Sequence, residues 1–103
     1  MPQFTVYRNK NPRTRTEMPF LVDVQSDMLS ELKTRVVIPL HIKKSIKPMT
    51  TLTPEFEVDG RAVVLMTPQL AGVSMRHLGE PAGNLKQYRT EILGALDLLI
   101  TGF

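Results

Sequence analysis

The side chains able to do chemistry are few and scattered. The two histidines, His41 and His77, have no partner at metal-ligand spacing. His41 reads as a partly exposed loop residue and His77 as a strand residue. Glu55, Glu57 and Asp59 alternate along one segment, which suits the wet face of a hairpin better than a paired-carboxylate site. Ser26-Asp27 and Ser74 have no recognisable base nearby. The six glycines form no phosphate-cradling loop, and the chain has no cysteine, which removes thiolate nucleophiles, thiolate zinc sites and disulfides together. A site assembled only by folding stays open. The local pattern argues against catalysis, and no cofactor or metal is expected.

Charge is the stronger signal. Residues 1–50 carry nine Lys and Arg against four acids, and residues 51–103 carry four against six. The cations gather at Arg8, Lys10, Arg13 and Arg15, and again at Lys33, Arg35, Lys43, Lys44 and Lys47. Either these are two solvated loops, or they form a face that seeks nucleic acid or an acidic partner segment. The 103 residues suit one domain. No apolar run approaches a membrane span, and MPQFTVYRNK does not read as a signal peptide. The expectation is a soluble protein without a membrane partner.

The elements that must position these residues are legible in part. Residues 3–8 alternate and predict a half-buried strand, with Phe4 and Val6 opposite Thr5 and Tyr7. Residues 9–18 read as a mobile basic loop. Residues 20–25 predict a strand with Phe20, Val22 and Val24 on one face. Residues 27–33 form an irregular or single-turn connection. A third strand covers 34–40, where Pro39 makes it end, bulge or lie at an edge. Two strands flank Asp59-Gly60, a pair suited to the positive φ angles of a type I′ turn. Thr67-Pro68 predicts one helical turn with Thr67 as its cap. Residues 73–78 read as another strand.

Asn84 and Gln87 have the spacing of a capping box. Beyond them Leu85, Tyr88, Ile92, Ala95 or Leu96, and Leu99 recur at helical period, with Leu93 and Ile100 beside them. This predicts a helix of about four to five turns across a twisted antiparallel sheet.

Three features of this helix run against local preference. Asp97 stands at the negative end of the helix dipole. Gly94 lies mid-helix, where close packing beneath it is the leading structural explanation. Ile100-Thr101-Gly102-Phe103 forms an apolar, glycine-containing ending. It is either a left-handed stop with Phe103 folded back, or an aromatic tip offered to a partner.

The segments QFTVYRN, FLVDVQSDML, TRVVIPL and LMTPQLAGV, the capped helix and the final glycine-apolar pair resemble the CcdB toxin family in order and spacing. The pairing of FLVDVQSDML (20–29) with RVVIPL (35–40) is the most specific part; residues 41–60 match loosely. The resemblance implies an α+β, mainly β fold: an SH3-like five-stranded antiparallel barrel, a small extra sheet and a long C-terminal helix. It also implies a homodimeric cytoplasmic toxin without enzymatic activity. Such a toxin binds the A subunit of DNA gyrase and traps the gyrase–DNA cleavage complex. A CcdA-like antitoxin neutralises it, and the toxin–antitoxin complex represses its own operon on operator DNA.

Carried over position by position, the gyrase-binding residues are Thr101, Gly102, Phe103 and Asp97. Ser26, Met28 and Leu29 are expected beside them. Familiar members carry Trp where this chain has Thr101, and Asn where it has Asp97. These departures bear on the strength of gyrase poisoning. By charge, Arg8, Lys10, Arg13, Arg15, Lys43 and Lys44 are candidates for antitoxin binding. Two rival readings are a MazF- or Kid-like endoribonuclease on the same barrel, and a degenerate toxin that still pairs with its antitoxin.

Overall fold

The structure is a computed structural model that describes residues 2–45 and 47–102. Its strands are β1 (Thr5–Asn9), β2 (Phe20–Asp23), β3 (Thr34–Ile42), β4 (Glu55–Val58), β5 (Arg61–Leu65), β6 (Ala71–Ser74) and β7 (Leu78–Asn84), followed by helix α1 (Arg89–Thr101). Among the described residues these strands make one antiparallel sheet in the order β4-β5-β3-β2-β1-β7, with β6 also on β3. The sheet curls into a half-barrel. The β4–β5 arm is continuous with the rest of the sheet through β3. Its tip returns toward β1, where Arg8 pairs with Asp59 at 3.0 Å.

β3 organises the sheet. One edge pairs with β2; the other pairs first with β6 and then with β5. Pro39 therefore neither ends the strand nor lies at an edge. Its carbonyl accepts the Met66 N–H at 2.9 Å, on the side where β6 has stopped and β5 has not begun. Carbonyl and nitrogen of one strand residue face the same edge, so the proline gives up only the return bond to Met66, one residue past the end of β5, and takes nothing from the ladder with β2.

The main core lies between sheet and helix. Phe20, Val22 and Val24 face inward together, as their alternation predicts, and meet Ile92 and Ala95 of α1. Ile92 is fully buried, which is worth roughly 1.5–3 kcal/mol. Phe56 and Tyr88 stack at 4.6 Å between ring centres. A second, smaller cluster of Tyr7, Leu21, Val37 and Leu78 lies on the other sheet face. β1 is consequently buried on both faces rather than half-buried, and only Arg8 of it is exposed.

Under this second cluster sits an ion pair with no solvent access. Arg35 Nε and Nη2 each lie 2.8 Å from Asp23 Oδ2, and both side chains are 0 % exposed. Asp23 Oδ1 accepts the Gln25 N–H. Arg35 thus leaves the surface cationic cluster in which sequence reasoning put it.

Burial raises the Tyr7 hydroxyl above its ordinary pKa of 10.0; the Asp23 carboxylate adds to the rise, while Arg35 and a bond with Thr5 oppose it. The unfolded chain therefore loses this proton first as pH rises. Stability from this group falls once pH passes about 10 and continues to fall until the folded hydroxyl ionises. Tyr7→Phe should remove that component. Thermal melts above pH 10 should show a shallower alkaline decline for the variant than for the parent.

The hairpin turn is as expected, with φ of 53° at Asp59 and 76° at Gly60. Other boundaries moved. Residues 73–78 are not one strand: β6 ends at Ser74, Met75–His77 is a 3-10 turn, and β7 begins at Leu78. The capping box does not form as predicted. Asn84 Oδ1 accepts the Lys86 N–H at 2.7 Å, which starts the 3-10 turn Lys86–Tyr88, and α1 follows with 13 residues, short of four turns. A bond from Leu85 N–H to the Phe4 carbonyl pins this entry to the sheet. Among the described residues nothing lies within 4 Å of a Cβ built on Gly94, so close packing among them does not explain that glycine.

Thr67 begins the 3-10 turn Thr67–Gln69 but does not cap it; Met66 occupies the cap position. Among the described residues the buried Thr67 hydroxyl has no hydrogen-bond partner. An orphaned buried hydroxyl costs about 1–3 kcal/mol. Thr67→Val keeps the shape and removes the orphan, so chemical denaturation should show equal or greater stability, by up to about 1 kcal/mol.

Candidate functional site

The last turn of α1 is built to end abruptly. Gly102 has φ 81°, and its N–H reaches the Leu98 carbonyl at 3.0 Å, the left-handed conformation of one of the two readings of this ending. Thr101 Oγ1 donates to the Asp97 carbonyl at 2.7 Å, which holds its hydroxyl against the helix. The Asp97 side chain is exposed in a last turn that carries no basic residue. An acid there is unfavourable by about 0.3–1 kcal/mol. Phe103 lies outside the described residues, so neither its fold-back nor its display as a tip is described. Ile100 was expected beside the core stripe but is 71 % exposed, and it adds an apolar side chain to this end.

Ser26, Met28 and Leu29 are brought together by the 3-10 turn Asp27–Leu29. Ser26 Oγ accepts the Met28 N–H, and Gln25 Nε2 donates to the Leu29 carbonyl at 3.0 Å. The turn offers apolar surface to solvent: Met28 is 93 % exposed, and Leu29 and Leu32 are about half exposed. Gln3 ties it to the beginning of α1. Its N–H donates to Asp27 Oδ1 at 2.7 Å, and its Oε1 accepts from Arg89 at 3.3 Å. None of the described hydrogen bonds or ion pairs joins this turn to Asp97, Thr101 or Gly102 within one chain.

The cationic residues fall around two clefts. Arg8, Lys10 and Arg15 line one of about 670 Å3; Lys43, Lys44 and Arg61 line another of about 420 Å3. Arg13 is exposed on the same loop as Arg15. Arg8 lies over the Phe20 ring and pairs with Asp59, and Lys43 pairs with Glu55 at 3.2 Å. Arg61 was missed because it sits alone in the acidic half of the sequence; its position just after Asp59-Gly60 was the available signal. Residues 9–18, expected as a mobile loop, form hydrogen-bonded turns. Asn9 Nδ2 donates to Thr14 Oγ1 and the Met18 carbonyl, and Arg15 N–H donates to the Asn11 carbonyl.

His41 is a buried residue of β3, not a loop histidine, and its Nε2 is 2.9 Å from Gln69 Oε1. Its register opposite Val64 explains the burial. His77 lies exposed in the turn Met75–His77 rather than in a strand. Glu55 and Glu57 point outward from β4 while Phe56 and Val58 point in, as alternation predicts. Among the described residues, no group of three His, Asp or Glu could hold a metal ion. No helix among them is long and apolar enough to cross a membrane.

The architecture is that of a mainly β protein, with a curled antiparallel half-barrel carrying a C-terminal helix whose end is exposed. A family model described as CcdB protein matches residues 3–102, and the chain belongs to the CcdB family. Membership places it among the toxins of type II toxin–antitoxin systems and gives it an antitoxin as partner.

Proposed function

We propose that this chain is a cytoplasmic, non-enzymatic, homodimeric toxin that docks the end of α1 on the A subunit of DNA gyrase and traps the gyrase–DNA cleavage complex. The observation that carries the reading is the composition of that end. A left-handed Gly102 stands beside exposed Ile100, and Asp97 stands where the helix disfavours an acid. Glycine lets a partner's backbone approach closely. Asp97 can meet an arginine or a hydrogen-bond donor across an interface. Met28 and Leu29 supply adaptable apolar contact, with Ser26 beside them. In a homodimer the two groups need not come from one chain.

A CcdA-like antitoxin releases gyrase in this reading, and the toxin–antitoxin complex represses its operon on operator DNA. Arg8, Lys10, Arg13, Arg15, Lys43 and Lys44 attract its acidic segment. Replacing Arg13, Arg15, Lys43 and Lys44 with glutamine should slow antitoxin association by about tenfold at low salt and far less at high salt. Stopped-flow association at two ionic strengths checks this.

Purified toxin added to gyrase and supercoiled DNA should accumulate protein-linked linear DNA, and added antitoxin should reverse it. The degenerate-toxin reading is favoured by Thr101, whose hydroxyl bonds within the helix and which lacks the stacking surface of the familiar Trp. It predicts antitoxin binding with no linear DNA. Cleavage of a mixed RNA substrate by the pure protein would instead favour the ribonuclease reading.

A further inference from the structure

We propose that Gln3 is a positioning residue for docking: it aims the turn Asp27–Leu29 so that Met28 and Leu29 meet the partner. This rests on the gyrase reading above and names a residue which that reading does not use. Gln3 is half-buried, and all its polar groups are engaged. Its N–H donates to Asp27 Oδ1 at 2.7 Å, and its Nε2 donates to the Val24 carbonyl at 3.0 Å. Its Oε1 accepts from Arg89 Nη1 at 3.3 Å, and its carbonyl accepts from Asn84 Nδ2 at 3.1 Å. One residue thus joins the turn to the end of β7 and the start of α1. Phe4 beside it has φ 70°, a left-handed conformation that an aromatic residue rarely adopts. Such a conformation persists only where the surroundings over-determine it, and it collects where function needs a fixed geometry. Here the Phe4 N–H donates to the Asp23 carbonyl at 2.6 Å, and its carbonyl accepts the Leu85 N–H at 2.8 Å. Its ring is buried, with the Arg89 guanidinium 5.9 Å from the ring centre. The core therefore fixes the backbone from which Gln3 projects.

The turn has no such anchor of its own. None of Asp27, Met28 and Leu29 is buried, so packing does not decide where they sit. The bonds from Ser26 to Met28, from Leu29 to Ser26, from Ser30 to Asp27 and from Gln25 to Leu29 are all local. They shape the turn without aiming it. The bond from Gln3 reaches it from 24 positions away and sets it against the rigid sheet. Met28 is 93 % exposed, so a turn left unaimed would have to be ordered when a partner binds. Ordering it beforehand removes that entropic cost from the binding step. Gln3 in this account acts through the turn and does not itself touch the partner.

The test measures, by calorimetry, the affinity of the full chain for a fragment spanning the dimerisation region of gyrase A. Gln3→Met keeps the side-chain length and removes both amide bonds; Asp27→Ala removes the acceptor, and Asp27→Asn keeps it. Gln3→Met and Asp27→Ala should each weaken binding at least about tenfold, while Asp27→Asn stays within about twofold of the parent. In a background carrying Met28→Ala and Leu29→Ala, Gln3→Met should alter affinity less than about twofold, because the groups it aims are gone. NMR relaxation should show Met28 and Leu29 gaining motion in Gln3→Met while Ile38 and Val63 keep theirs. Affinities of Gln3→Met and Asp27→Ala within about twofold of a binding parent would overturn the proposal and leave the docking reading intact. A loss from Gln3→Met that persists in full without Met28 and Leu29 would make Gln3 a direct contact and overturn it equally. If Gln3→Met loosens Ile38 and Val63 as well, the Asp27 pair decides: equal affinities of Asp27→Ala and Asp27→Asn would overturn the proposal. A parent that does not bind the fragment would remove the docking reading and this one together.

Discussion

Arg35→Leu is expected to cost about 3–5 kcal/mol of folding stability, because it leaves the Asp23 carboxylate buried without its counter-charge. A domain of this size has a total stability of about 5–15 kcal/mol, so the variant stands near the threshold of folding. At roughly 4–8 °C per kcal/mol, the melting temperature should fall by at least about 12 °C. Replacing both partners, as in Asp23→Leu with Arg35→Leu, removes the stranded charge and should recover much of the loss. Calorimetry on the two variants separates the effects. If the single variant melts within about 2 °C of the parent, the pair is not the closed, dry contact described here.

A chain ending at Thr101 should lose gyrase poisoning almost entirely while folding normally. Gly102 contributes one backbone bond to the helix end, worth about 0.5–1.5 kcal/mol. The melting temperature should therefore move by only a few degrees. An interface anchor is worth about 2 kcal/mol or more, so removing glycine and the following aromatic should lower linear-DNA accumulation at least about 30-fold. A truncated protein that unfolds would make the ending a structural cap.

What could be read from the sequence depended on how local its cause was. The Asp59-Gly60 turn was legible because two residues determine its backbone. The inward face of β2 was legible because Phe20, Val22 and Val24 alternate, and α1 because its apolar period is long. β7 was not. Gly79, Pro81 and Gly83 leave residues 79–83 without an apolar alternation, yet Gly79 is required by the sheet: a Cβ there would lie 2.6 Å from the Arg8 carbonyl oxygen. That approach involves β1, some seventy positions earlier, which no local pattern reports. Arg35 was misassigned for a similar reason. Asp23 and Arg35 share a sheet face with Leu21 and Val37, and that face became visible as buried only through strand register.

The candidate site was legible in unequal parts. Asp97 and Gly102 stood out as breaches of helix preference, whereas Ile100 was hidden by its place in an apolar run. Ser26, Met28 and Leu29 came from family resemblance alone; their exposure is a property of the folded turn.

Action by contact with a second protein, rather than by bond breaking, is tested most directly by calorimetric titration. A fragment spanning the dimerisation region of gyrase A is titrated with the purified toxin. Saturable binding that falls at least about 30-fold for the chain ending at Thr101 is the predicted result. A fragment that does not bind the folded full-length chain, or that binds both chains equally, would contradict it.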